Sequence, residues 1–401
     1  MKFKINKMIK LALRPNLIYP VFIIIWTFLR KITSILISKI FNFKGSIIYT
    51  FLMFFGEIAG GIIFYIYLKR YTAKKRWNAL IINIISSSVS AKKVQIKKSA
   101  DNKIIKIFLI FMTGFFDFFE FILSTYYINK IHKMSTTLQT RFGVVLIVAS
   151  SLLSRYLLKF QLFKHHILSL IFLGVGILLL IISEYLFQVY DLILTVNNLT
   201  IGILFSILSH MSIAFNNTIE KYLIDTNFMN PYLLLTFQGI IGLIFTIICA
   251  LYENPIPDIQ NLYDNNSSGM LALFIILILL YTILGALKNI YRMNTILLFT
   301  PMNKHLADII INPIYIIYYF SVGEDFMKDG QRDYFYFFTN LLLLIIFDIF
   351  GLIFNEFIVL FCGGLDFNTY ESISLRSDAI SEMIDLTRIE TYTNYDSSLD
   401  K

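Results

Sequence analysis

Charge is scarce in this chain. Asp, Glu, Lys and Arg supply 15% of its 401 residues, against about 25% in a soluble domain. That shortage excludes a soluble globular enzyme, which would need a charged surface, and the high apolar content excludes a disordered chain. Two cysteines exclude a disulfide scaffold; Cys249 and Cys362 both fall in apolar segments, so neither disulfide nor metal chemistry is implied. Acids are nearly missing from residues 1–106, which hold 20 of the 35 Lys and Arg but only Glu57 and Asp101. What is abundant is apolar: 57% of the chain is hydrophobic, with 39 Phe and 24 Tyr gathered into long runs. The class is a polytopic, all-α integral membrane protein.

A helix needs about 20 mostly apolar residues to cross a bilayer. Ten stretches qualify: 16–40, 45–68, 104–128, 136–158, 164–187, 199–223, 230–252, 269–290, 293–320 and 333–362. The break between the eighth and ninth is marked only by Lys288, Arg292 and Asn294. The first stretch follows a basic arm but has no small-residue cleavage site after it, so it reads as a retained span.

Cations concentrate in the N-terminal arm (residues 1–15) and in a loop at 69–103, the positive-inside pattern of cytosolic segments. This distribution favours a bilayer over nucleic acid as the partner, since no basic patch is interleaved with aromatics outside a span. Arg155, Lys159 and Lys164 after the fourth span, and Lys288 and Arg292 after the eighth, agree with cytosolic loops. Residues 188–198 and 253–268 have no Lys or Arg and carry the sequons at Asn198, Asn265 and Asn266, as non-cytosolic loops should. Both termini are therefore expected in the cytosol, the C-terminal one as an acidic, disordered tail over 368–401.

Five spans per half, 16–187 and 199–367 joined by a linker at 188–198, would run in opposite directions, as in transporters built from inverted repeats. Sequence echoes fit: Arg30-Lys31 late in the first span and Glu220-Lys221 late in the sixth; Gln139-Thr140-Arg141 in the fourth and Met302-Asn303-Lys304 in the ninth. On these residues, with Leu152-Leu153-Ser154-Arg155, His166 to Gly176, Asn216 to Leu223 followed by Asn230-Pro231, and Phe299 to Lys304, the chain resembles the drug/metabolite transporter superfamily. Within it the likeness is to nucleotide-sugar-transporter-like (EamA-like, ten-helix) solute carriers, over about residues 16–375. The resemblance implies ten helices in two inverted five-helix repeats, an endomembrane location, and an Asn-Lys pair at Asn303 and Lys304 lining the cavity. The Gly-Ala-Leu that precedes Asn-Lys in GDP-mannose carriers is absent before Asn303. Gly285-Ala-Leu-Lys-Asn289 lies one span too early and is set aside as coincidence.

A charge at the bilayer centre costs at least ~2.5–3.5 kcal/mol on insertion scales and therefore faces a cavity or a partner. Lys304, about eleven residues into its expected span, is the leading anion ligand, with Asp308 at i+4. Arg141, its repeat mate, and nearby Gln139 would complete a phosphate clamp, Arg as a bidentate fork and Lys as a point charge. Asn216 and Asn217 could read a nucleobase. Asp117 and Glu120 share a face, and with Glu57 are candidates for coupling or gating; the glycines at 56, 60 and 61 would let helices approach closely. Arg30, Lys31, Lys288, Arg292, Asp348 and Glu356 read as anchors or gate pairs, and His165-His166 as a solvated turn. The expected function is a secondary carrier of a small anionic, nucleotide-sugar-like metabolite. The alternatives are a carrier of neutral or cationic solutes, with or without proton coupling, and an integral-membrane transferase. No catalytic constellation, cofactor or metal is called for, and a homodimer is possible.

Overall fold

The computed structural model describes residues 15–41, 43, 46–72, 103–124, 136–189, 196–253, 255–322, 327–328, 331–358 and 369. Residues 1–14 of the basic arm, most of the 69–103 loop and the acidic tail apart from Thr369 lie outside the described residues. Among those described, ten helices are long and apolar enough to cross a membrane. In chain order they are Ile18–Phe41, Ile47–Arg70, Lys103–Ser124, Leu138–Leu157, Lys164–Phe187, Val196–Asn227, Pro231–Tyr252, Ser268–Leu298, Pro301–Val322 and Tyr334–Phe354, called here the first to tenth spans. Helices form there because a segment in lipid must satisfy its own backbone hydrogen bonds. Their exposed faces carry Ile, Leu and Phe, as on Ile63, Phe55, Leu178 and Ile276, where water would otherwise require polar residues.

The structure moves several expected boundaries. The eighth span does not end near residue 290 but runs to Leu298, and the break falls at Phe299–Thr300, directly before Pro301. Proline disfavours helix in the residue before it and suits the first helical position, so it sets this boundary. Lys288 and Arg292 therefore lie within a helix and not in a loop, and Lys304 sits in the first turn of its helix, not eleven residues deep. The fourth span carries a 3₁₀ turn at Phe142–Val144, just after Arg141. A short helix, Ile256–Asn265, occupies the seventh-to-eighth connection, and a minimal antiparallel ladder pairs Met327 with Arg332 before the tenth span.

The second span packs most extensively on the seventh and the first on the eighth; the third meets the sixth and seventh, and the second also meets the eighth. The ninth contacts the first, fourth and tenth, and the fifth and tenth form an outer pair. Small residues allow the tightest of these approaches. A Cβ on Gly61 would lie 2.7 Å from the backbone oxygen of Tyr232, and one on Gly239 would lie 2.9 Å from that of Phe54. The second and seventh spans thus each lay a glycine on the other's backbone. The largest apolar core joins the fourth, fifth, ninth and tenth spans through Phe142, Ile147, Leu173, Leu180, Ile316 and Phe347.

Candidate functional site

A cavity of about 450 Å³ lies within the bundle, walled by the first, second, third, fourth, sixth, eighth and ninth spans. Its wall is charged: Arg30, Lys31, Lys288, Arg292 and Lys304 face it, as do Glu57, Asp117, Glu120 and Asp308. Aromatic and amide groups complete it, among them Tyr49, Tyr281, Tyr315, Gln139, Asn289 and Asn312. Helical spacing explains part of this gathering. Lys288 and Arg292 at i+4 fall on one face of the eighth span, as Lys304 and Asp308 do on the ninth.

Two charge arrangements stand on the wall. In the first, Arg292 is the hub of three buried carboxylates. Its Nη2 lies 3.3 Å from Glu220 Oε1 and 3.9 Å from Glu57 Oε1, and its Nη1 lies 3.9 Å from Asp117 Oδ1. Asn289 donates to Glu57 Oε1 at 2.7 Å, and Gln238 donates to Glu220 Oε1 at 2.6 Å. One oxygen of each carboxylate, Glu57 Oε2, Asp117 Oδ2 and Glu220 Oε2, is buried without a hydrogen-bond donor.

The second arrangement is cationic. Lys304 pairs with Asp308 at 2.6 Å, and His305 Nδ1 lies 3.5 Å from the same carboxylate. His305 is held from its other side by Ser150 at 2.7 Å. Lys288 lies within electrostatic reach of Arg30, Lys304, Asp308 and Glu120. Arg30 and Lys31 lean on the rings of Tyr281 and Tyr319, at 5.5 and 5.7 Å. Among the described residues, none of Arg30, Lys31 and Lys288 has a carboxylate partner within 4.0 Å.

Of the residues singled out in the sequence, Lys304, Asp308, Gln139, Asp117, Glu120 and Glu57 meet at this cavity. Arg141, Asn216, Asn217 and Asn303 do not line it. Arg141 is fully buried elsewhere, 2.6 Å from Glu184 Oε1, with the Tyr336 hydroxyl bridging the pair. Asn216 accepts a hydrogen bond from Gln238, and Asn217 lies behind His305. His165 and His166 are buried, not solvated: their ring centroids lie 4.0 Å apart, the planes tilted by 41°, at the start of the fifth span, with Glu356 3.2 Å from His165.

The residues missed were Arg30, Lys31, Lys288, Asn289 and Arg292 as cavity groups, together with His305 and Gln238 beside them. Lys288 and Arg292 were read as loop charges because the eighth span was ended near residue 290, whereas its helix runs to Leu298 and turns both toward the cavity. No protein-family model matches this chain, and no curated protein matches it significantly.

Proposed function

We propose that this chain is a secondary membrane carrier that moves a small anionic metabolite by alternating access through the central cavity. One observation carries the reading: three cations on the wall, Arg30, Lys31 and Lys288, have no carboxylate partner within 4.0 Å among the described residues, and Lys304 stands beside them. Unpaired charge in a low-dielectric bundle is costly, and an entering phosphate or carboxylate would offset that cost with charge-assisted hydrogen bonds. A nucleotide-sugar-like solute fits, since Tyr281, Tyr315 and Asn289 offer stacking and amide groups for a base.

Helix packing supports two inverted five-helix repeats. Exchanging the first span with the sixth, the second with the seventh, and so on, carries first–eighth packing onto sixth–third and second–eighth onto seventh–third. It carries first–ninth onto sixth–fourth, and leaves second–seventh, fourth–ninth and fifth–tenth unchanged. Cytosolic termini follow from the loop charges, and endomembrane placement from the resemblance.

The test is a thermal-shift screen of the detergent-purified chain against nucleotide sugars, nucleoside phosphates and uncharged metabolites. A ligand at 100 times its dissociation constant stabilises by about 2.7 kcal/mol. A shift with nucleotides that is lost in Lys288→Ala supports the reading. The carboxylates around Arg292 favour a second reading, in which a cationic solute competes for them. A shift with cations alone would select it.

A further inference from the structure

The fifth span opens on a pair of histidines outside the wall of the central cavity. Phe163 caps this helix, so Lys164, His165 and His166 form its first turn, where side chains lean back over the helix start. That lean brings the two rings together. The tenth span ends beside them: Asn355 caps its last turn, and Glu356 follows in the left-handed region, at φ 61°. Its Oε1 stands 3.2 Å from His165 Nε2. One ligand-type atom from each of His165, His166 and Glu356 lies within 4.8 Å of the others. The contact between His165 and Glu356 is close without being a hydrogen bond. His165 is 3% exposed, and among the described residues neither of its ring nitrogens has a hydrogen-bond partner. Leaving a buried polar group unpaired is costly, and 3.2 Å would serve for a hydrogen bond if an N–H were aimed at the oxygen. A nitrogen and an oxygen this near, yet not aimed at each other, have the geometry of two ligands converging on a third point. Tetrahedral Zn²⁺, with bonds of about 2.0–2.1 Å, sets its ligand atoms about 3.3–3.4 Å apart. Phe160, Phe163 and Phe354 pack on the two rings, an apolar shell that limits competition from water.

We propose that His165, His166 and Glu356 bind a divalent cation of the Zn²⁺ class, which clamps the start of the fifth span to the end of the tenth. Two imidazole nitrogens and a carboxylate oxygen form a donor set suited to zinc, and three protein ligands leave the fourth position to water. His165 ligates through Nε2 and keeps its proton on Nδ1, the tautomer that leaves the lone pair beside Glu356 free. His166 Nδ1 accepts the Phe163 N–H at 3.1 Å, so in the neutral ring its proton sits on Nε2. Ligation through that nitrogen moves the proton to Nδ1 and exchanges one neutral hydrogen bond for a metal–nitrogen bond. None of the three residues lines the central cavity, so the site stands or falls independently of the carrier reading.

The experiment uses the untagged full-length chain, purified in detergent and stripped with a chelator. Zn²⁺ is titrated against a competing indicator dye, and melting is followed with and without the ion. The expected result is one Zn²⁺ per chain and a higher melting temperature on loading, since an ion that binds only the folded state stabilises it. Mg²⁺, a hard ion that prefers oxygen ligands, should do neither, and a response to Mg²⁺ equal to that of Zn²⁺ would overturn the site. Co²⁺ in place of Zn²⁺ should give the visible absorption of tetrahedral nitrogen and oxygen coordination. His165→Ala and, separately, Glu356→Gln should each weaken Zn²⁺ binding by more than about 100-fold, beyond the 10–100-fold typical of outer-shell partners. Each should also remove the melting increment; two variants guard against one failing to fold. Folded wild type that binds no Zn²⁺ would refute the proposal. So would affinity retained in both variants: the ion then lies elsewhere, and any drop in metal-free melting marks His165 and Glu356 as an ion pair alone.

Discussion

Arg141 offers the sharpest division between a substrate ligand and a structural anchor. It lies in the fourth span, immediately before the 3₁₀ turn, and pairs with Glu184 at 2.6 Å, both side chains being fully buried. Tyr336 of the tenth span donates to Glu184 Oε2 at 2.7 Å and also bonds Arg141. The contact therefore ties the fourth, fifth and tenth spans together. Removing one member of a buried pair leaves an uncompensated charge and costs about 3–5 kcal/mol. At about 2 °C per kcal/mol, suited to a long chain, Arg141→Met or Glu184→Leu should each lower the melting temperature by roughly 6–10 °C. The double variant removes both charges and should recover most of the loss, since an apolar replacement of a buried pair is often neutral. A double-mutant cycle on the purified protein in detergent reads the coupling directly. If Arg141→Met melted with the wild type and lost nucleotide binding, the anchor argument would be refuted and Arg141 would return to the substrate site.

Three further outcomes follow from the geometry. Lys304→Ala should abolish nucleotide uptake into proteoliposomes while the protein still folds; wild-type uptake would remove Lys304 from the site. Gly61→Ala should destabilise strongly, because its Cβ would meet the Tyr232 oxygen at 2.7 Å and the Thr236 nitrogen at 3.0 Å, backbone atoms that cannot swing aside. Gly174→Ala meets nothing within 4 Å and should gain about 0.5–1 kcal/mol of helix stability; equal melting of the two variants would contradict the packing. In a microsomal glycosylation assay, a lumenal seventh-to-eighth connection predicts modification at Asn265 or Asn266. An acceptor sequon engineered next to Lys159 should stay unmodified, and the opposite pattern would invert the topology.

The ten spans were legible because crossing a bilayer is a local property. Length and apolar content within one segment decide it, and the helix satisfies its own backbone. Boundaries failed where charge was read as a loop signal. Lys288 and Arg292 looked like a basic turn, yet they face an internal cavity, and Pro301 marked the true break. The charge count of His165-His166 gave no hint that both rings are buried, with His166 edge-on to Phe354.

Spacing along one helix told which residues share a face, as for Asp117 and Glu120 or Lys304 and Asp308. It could not tell what that face meets. Arg141 and Lys304 were paired in the sequence as repeat mates, but Glu184 arrives from the fifth span to bury the first, and the cavity opens beside the second. By itself the sequence determined the membrane, the number of crossings and the scarcity of intramembrane charge, because each depends on residues near one another in the chain. Only the tertiary structure decided which of those charges are matched and which are left facing a cavity. That depends on partners brought together from far along the chain, as Asn289 is to Glu57, 232 residues away.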